Sequence, residues 1–151
     1  RTYGVPRVVV PLGGDAAELA KAAMKQKITI AFYNHGWDSC KVSALLLELQ
    51  AKKMRFGFVF NAAAFAAVGE KPFLGSYKQK LRRFIDQLDV EDALFDGAPA
   101  NLAEGNAEIK EMISILRCAG FSGFMTLGLR NRFVATLANT VARFMDLLMR
   151  M

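Results

Sequence analysis

The sequence predicts an α/β protein of about five parallel βα units, and three observations predict it. Short apolar runs alternate with stretches of about ten to twenty residues whose apolar positions recur at helical spacing. The runs are continuous rather than alternating, as strands covered on both faces are. No hairpin signal joins consecutive runs, which leaves right-handed crossovers as the connections. At 151 residues the chain suits one domain, 1–151, with a single core.

Val8 to Leu12 reads as the first strand, bounded by Pro6 and Gly13-Gly14, with Pro11 limiting its pairing. Asp15 and Glu18 have the spacing of a capping box and predict a helix burying Leu19, Ala23 and Met24. Ile28 to Tyr33 is the second strand. Asp38 or Ser39 caps the next helix, whose apolar stripe is Val42, Leu45, Leu46 and Leu49. Arg55 to Asn61 is the third strand. After an Ala-rich loop and Pro72, a helix is expected over Gly75 to Gln87, burying Tyr77, Leu81, Phe84 and Ile85.

Leu88 to Ala93 reads as a short fourth strand, and Asp96-Gly97 with Pro99 marks a long loop. Asn106 is expected to cap a helix carrying Ile109, Met112, Ile113 and Leu116, closed by a left-handed Gly120. Phe121 to Leu127 is the fifth strand. A last helix, Asn131 to Met149, should bury Phe133, Leu137, Val141, Phe144 and Leu148.

Composition narrows the function. The net charge of +6 comes from scattered Lys and Arg. Its densest cluster, Lys78, Lys80, Arg82 and Arg83, is interleaved with Tyr77, Leu81 and Phe84, the pattern of a solvated helix face rather than a phosphate grip. No nucleic-acid partner is expected. No apolar stretch reaches the roughly 18 residues of a membrane span, so no membrane partner is expected either. Cys40 and Cys118 lack metal-ligand spacing; two buried or half-buried thiols in a reducing, cytoplasmic compartment are expected, with a structural disulfide as the alternative. The chain opens at Arg1 without a leader pattern, which fits a fragment or a processed form. The apolar fraction, 53% with 11% aromatic residues, is high and points to a large core or to apolar surface covered by another chain.

In parallel α/β proteins chemistry gathers at the carboxyl ends of strands. Here those ends carry Tyr33, Asn61, Asp92 and Gly128, of which only Asp92 is a carboxylate. Gly13-Gly14 before a helix could cradle a phosphate, but Asp15 in the capping position repels anions.

Three segments together resemble the xylose isomerase-like barrel superfamily, and within it the sugar phosphate isomerase/epimerase branch. The first reads Ile-Thr-Ile-Ala-Phe-Tyr-Asn-His-Gly from Ile28 to Gly36. The second is Phe58 to Phe65 followed by Gly69, Pro72 and Phe73. The third runs from Gly105, Asn106, Glu108 and Ile109 to Ala119-Gly120-Phe121-Ser122-Gly123-Phe124. The resemblance covers almost the whole chain and implies a partial (β/α) TIM-type barrel, the fourth to eighth βα units of eight. It also implies a divalent metal held by acidic and histidine side chains, and paired carboxylates that move a proton between sugar carbons. Such a shuttle needs a base at the substrate carbon and a cation for the enediolate oxygen.

Carried over residue by residue, Tyr33 stands where the family has its first glutamate and Asn61 where it has an aspartate. Ala64, or Phe65, takes the place of a histidine, Asp89 that of another, Asp92 keeps an aspartate, and Gly128 replaces the final glutamate. A hard cation wants several charged oxygens or imidazoles, so no metal ligand set and no cofactor is expected within this chain. A divalent metal would need ligands from amino-terminal units. The candidate catalytic residues are His35, the only histidine, and Asp92; the candidate sugar-binding residues are Tyr33, Asn34, Trp37 and Asn61. The bland alternatives are a strand-end histidine on a backbone carbonyl, an aspartate capping loop amides, and a tryptophan that merely packs.

A complete barrel of this type needs on the order of 250 residues. Five units leave two bare edges, so either the amino-terminal units lie elsewhere or the chain is a homo-oligomer. The expectation is an isomerase/epimerase-like barrel with a depleted metal site and a small-molecule sugar as its partner if active. The alternatives are an active enzyme completed by amino-terminal units, and a non-catalytic assembly or binding module.

Overall fold

The structure, a computed structural model, describes residues 7–128 and 137–150, the side chains of 78–80 excepted. Five strands, β1 (Arg7–Pro11), β2 (Thr29–Tyr33), β3 (Gly57–Asn61), β4 (Ile85–Val90) and β7 (Phe124–Leu127), form one parallel sheet in chain order. They curve into a half-barrel, with helices α1 (Ala16–Lys25), α2 (Ser39–Ala51) and α4 (Ile109–Cys118) among the connections and α5 (Leu137–Arg150) after the last strand. The parallel, sequentially ordered arc is the one the alternation of runs predicts.

Strand alternation sorts the side chains. Ile30 and Phe32 of β2, Phe58 and Phe60 of β3 and Leu88 and Val90 of β4 are buried in one cluster with Val42, Leu46 and Leu49 of α2 and Met112 and Ile113 of α4. The opposite, concave face carries Val9, Ala31, Val59, Asp89 and Thr126 through the pairings Val9–Ala31, Asn61–Asp89 and Asp89–Thr126. At its amino end Arg7 reaches across β2 and β3 to Asp86 with two hydrogen bonds of 2.9 Å. Gly57 makes that possible, since a Cβ there would stand 2.3 Å from the Asp86 carboxylate.

Several elements differ from expectation, each for a local reason. The helix expected over Gly75 to Gln87 is a wide π-helix, Pro72–Leu81, followed by a 3-10 turn, Arg82–Phe84, and Ile85 to Gln87 belong to β4. The spacing of Tyr77, Leu81, Phe84 and Ile85 suits a helix, but Asp86 bulges from β4 toward Arg7 and draws the segment into the sheet. Between β3 and this helix lies a single short helix, α3 (Ala62–Ala66), capped by the Asn61 side chain on the Ala64 amide. The fourth strand ends at Val90 rather than Ala93; β5 (Asp92–Ala93) pairs antiparallel with β6 (Pro99–Ala100) in a separate ribbon.

Asp15 makes no side-chain cap, and α1 buries Ala16 and Ala20 while Met24 is exposed. Asp38 caps α2 through the Lys41 amide. Asn106 instead accepts from the Phe95 amide, and α4 begins after Glu108, held at φ 49°. Gly120 closes α4 at φ 69°, as expected. Along α5 Leu137 and Val141 are exposed while Leu147 is buried, so only part of the expected core stripe is core; the segment 131–136 with Phe133 lies outside the described residues. Cys40 and Cys118 are both exposed and not disulfide-bonded, where burial was expected: each sits on the solvent side of its helix. No helix among the described residues is long and apolar enough to cross a membrane.

Candidate active-site crevice at the strand ends

At the carboxyl end of the arc, Asn34 and Asn61 extend the β2–β3 pairing by side chain. Asn34 Nδ2 donates to the Asn61 carbonyl and its Oδ1 accepts from the Asn61 amide, both at 2.8 Å and fully buried. The amide of Asn34, expected to meet substrate, thus faces the neighbouring backbone. Asn61 divides its side chain: Oδ1 caps α3, and Nδ2 donates to Glu91 Oε2 at 3.3 Å.

Glu91 is the residue the sequence reading missed. The strand period of two places Gln87, Asp89 and Glu91 on one side of β4's course and Asp92 on the other. Glu91 is half-buried, and its side chain fills the space over Gly128, where a Cβ would stand 1.7 Å from Oε1. The carboxylate of one strand end thus occupies the side-chain position of the next. The polar alternation Gln87-x-Asp89-x-Glu91 was the available signal, hidden by placing the strand three residues late.

Asp92 is 3% exposed, and its carboxylate accepts from the amides of Ala93, Gly105 and Ala107 at 2.9, 3.0 and 3.0 Å. It organises the ribbon and the loop before α4, the capping alternative of the sequence reading. The reason is proximity: a Cβ on Gly105 would lie 2.3 Å from its Oδ1, so the loop backbone closes directly on the carboxylate. Two further carboxylates hold the surrounding loops. Glu70 accepts from the Ser39 amide and from the hydroxyls of Ser39 and Ser76. Glu108 accepts from the Phe73 amide at 2.7 Å and so ties the start of the π-helix to that of α4.

Of the remaining candidates, His35 is exposed and its ring meets Tyr33 edge-on at 6.1 Å. Trp37 packs on the core and carries the Lys41 ammonium 4.1 Å from its ring centre, which occupies one of its two stacking faces. Asp89 lies deeper on the concave face, where Thr126 donates to it and Gln87 Nε2 donates at 3.3 Å. The crevice therefore brings together Asn61 and Glu91, with Tyr33 and His35 at the adjoining strand end; Asn34, Trp37 and Asp92 face protein.

This donor set does not fit the divalent metal that the resemblance implies. Among the described residues no three His, Cys, Asp or Glu side chains converge. The carboxylate kept at a family position, Asp92, is turned to backbone amides. What the crevice offers is a carboxylate beside a carboxamide and a phenol, groups suited to hydrogen-bonding the hydroxyls of a polar small molecule.

No family model and no curated protein matches the sequence. Solved structures do match by fold. A xylose isomerase domain protein from Planctomyces limnophilus superposes with TM-score 0.67 at 16% identity, over 97% of this chain and 58% of its own. A D-tagatose 3-epimerase-like protein does so with TM-score 0.72 at 16% identity, over 94% of this chain and 61% of its own. A protein from Thermus thermophilus, soaked with ZnCl2, gives TM-score 0.61 at 19% identity, over 98% and 63%. The chain has the fold of the xylose isomerase-like barrels, and it spans about three fifths of the length of these structures.

Proposed function

We propose that the chain is the carboxyl-terminal part of a sugar isomerase/epimerase-like barrel, in a cytoplasmic setting, whose strand-end crevice binds a small sugar without holding the metal. The observation that carries this reading is the use of the strand-end groups: Glu91 lies over Gly128 against Asn61, and Asp92 is spent on three loop amides. In this reading Tyr33, Asn61 and Glu91 bind hydroxyls, and His35 stands at the crevice edge. With its strand-end carboxylates engaged in this way, the chain offers no ligand set for the cation that would stabilise an enediolate during proton transfer between sugar carbons, and this reading expects no isomerase activity from the chain alone. Metal analysis after dialysis, combined with calorimetric titration of ketohexoses, tests it. The expected result is less than stoichiometric manganese, zinc or magnesium, with weak sugar binding that Glu91→Ala reduces. A retained stoichiometric metal with sugar turnover would overturn it.

A second reading is favoured by length. About two fifths of the length of each matched structure lies outside the part that this chain covers, which leaves room for further βα units carrying metal ligands. The edges of β1 and β7 and the exposed stripe of Leu137, Val141, Met145 and Met149 on α5 suit such units, or a second copy. Sedimentation of the chain distinguishes association from a stable monomer, and a monomer at high concentration would sink the second copy; strand-end Glu, His or Asp in amino-terminal units, with metal bound there, would favour the completed enzyme.

A further inference from the structure

The opposite end of the sheet carries a cavity that the crevice chemistry does not use. It holds about 530 Å³ between the loops that lead into β2 and β3, within the usual range of ligand pockets of roughly 300–1,000 Å³. Its apolar lining is Met24, Ile28, Met54 and Phe56, two of them flexible thioethers that adapt to a guest. Lys27 and Arg55 stand on its lining, both exposed and without an ion pair among the described residues. Asp86 is the one acid among the described lining residues, and the two hydrogen bonds from Arg7 neutralise it. Lys25, Lys53, Arg82 and Arg83 are exposed on the loops and helix ends at the same end of the sheet, so the approach to the cavity is basic.

Lys27 sits in the left-handed region at φ 56°, a conformation that costs a side-chain-bearing residue and suits glycine. It is the residue that closes α1, as Lys53 at φ 54° closes α2, and it stands on the lining of the cavity. We propose that this cavity binds a small molecule with an apolar body and an anionic head, the body against Met24, Ile28, Met54 and Phe56 and the head between Lys27 and Arg55. A flat basic face would suit a polyanion better; a concave apolar floor under two cations suits a small amphiphile.

Octyl phosphate tests this on the full chain by isothermal titration, with inorganic phosphate and 1-octanol as its two halves. One site is expected for octyl phosphate, with each half binding about a hundredfold more weakly. Arg55→Ala and Lys27→Gly should each weaken it about tenfold. Lys27→Gly keeps the fold because φ 56° is comfortable for glycine, and thermal melts of both variants should match or exceed the parent's. Unchanged affinity in both variants overturns the proposal, as does inorganic phosphate binding as tightly as octyl phosphate. Displacement by a short single-stranded DNA, or co-sedimentation with phosphatidylglycerol vesicles that the same variants abolish, would move the basic face to a nucleic acid or a membrane and overturn it too.

Discussion

Strands β3 and β7 have similar apolar composition and opposite fates. Gly57 to Asn61 is buried at every residue, between two paired neighbours, with Phe58 and Phe60 in one core cluster with Val42, Leu46 and Leu49 of α2 and Phe65 of α3. Phe124 to Leu127 alternates exposed and half-buried, pairs with β4 alone among the described strands, and leaves Phe124 65% exposed. Place in the arc, not side-chain type, decides what each residue contributes. Burial accrues in the middle, and the carboxyl-terminal edge relies on hydrogen bonds and charges to hold its loops and α5.

The sharpest way to break that comparison is a matched pair of truncations. Phe60 is fully buried and its ring lies 5.0 Å from that of Phe65 and 6.3 Å from that of Phe58. Phe60→Ala should cost about 3–5 kcal/mol in denaturant unfolding, through lost transfer and a residual cavity. Phe124→Ala should cost no more than about 0.5 kcal/mol in the same experiment, as an open surface site. Equal losses would mean that a partner covers β7 in solution.

Asp92 comes next, in the joint between centre and edge. Asp92→Ala leaves the buried amides of Ala93 and Ala107 and the amide of Gly105 without their acceptor, a loss of about 2–3 kcal/mol given what one unsatisfied buried donor costs. If sugar binding at the crevice falls with no loss of stability, Asp92 acts on the ligand and the loop-organising role fails.

Gly128→Ala is a smaller, local perturbation. Its methyl would overlap the Glu91 side chain, so overpacking should cost about 1–3 kcal/mol. Adding Glu91→Ala should recover most of that loss, a coupling that a double-mutant cycle reads directly. Additive costs would place Glu91 elsewhere than over Gly128.

What was legible in the chain follows the same division. The buried middle declares itself: Ile28 to Tyr33 and Arg55 to Asn61 are apolar runs whose helix-side residues, Phe32, Phe58 and Phe60, could go nowhere but a core. The β4 region does not. Its start is set by the Arg7–Asp86 pair, 79 residues apart in sequence, and a contact of that range leaves no local periodicity to read. A strand ending at Ala93 would put Asp92 rather than Glu91 at the crevice, because one step along a strand changes the face. Asn34 and Asn61 were visible as polar strand-end residues, but their mutual hydrogen bonds depend on β2 and β3 lying side by side.

The smallest effect concerns how the edge is tied down. Arg143 of α5 meets the Glu104 carboxylate and also donates to the Leu102 carbonyl at 3.4 Å, fixing the last helix to the loop before α4. The Asn101 side chain donates to the same carboxylate at 2.8 Å. That hydrogen bond first, and then Arg143, hold Glu104 below its ordinary pKa. A carboxyl whose pKa is depressed by folding stabilises the fold above its unfolded pKa, and the contribution is lost as pH falls through the folded value. Acid should therefore loosen α5 before the centre of the sheet, in the window below the usual glutamate range. Because the pair is solvent-exposed, added salt should weaken it as well. Amide exchange along α5, compared with that of β3, reads the difference: protection of α5 should drop on acidification while β3 holds, and Glu104→Gln should remove the acid step in α5. A simultaneous loss in both elements would show instead that the edge and the centre unfold as one unit, and that the contrast between β3 and β7 is one of exposure alone.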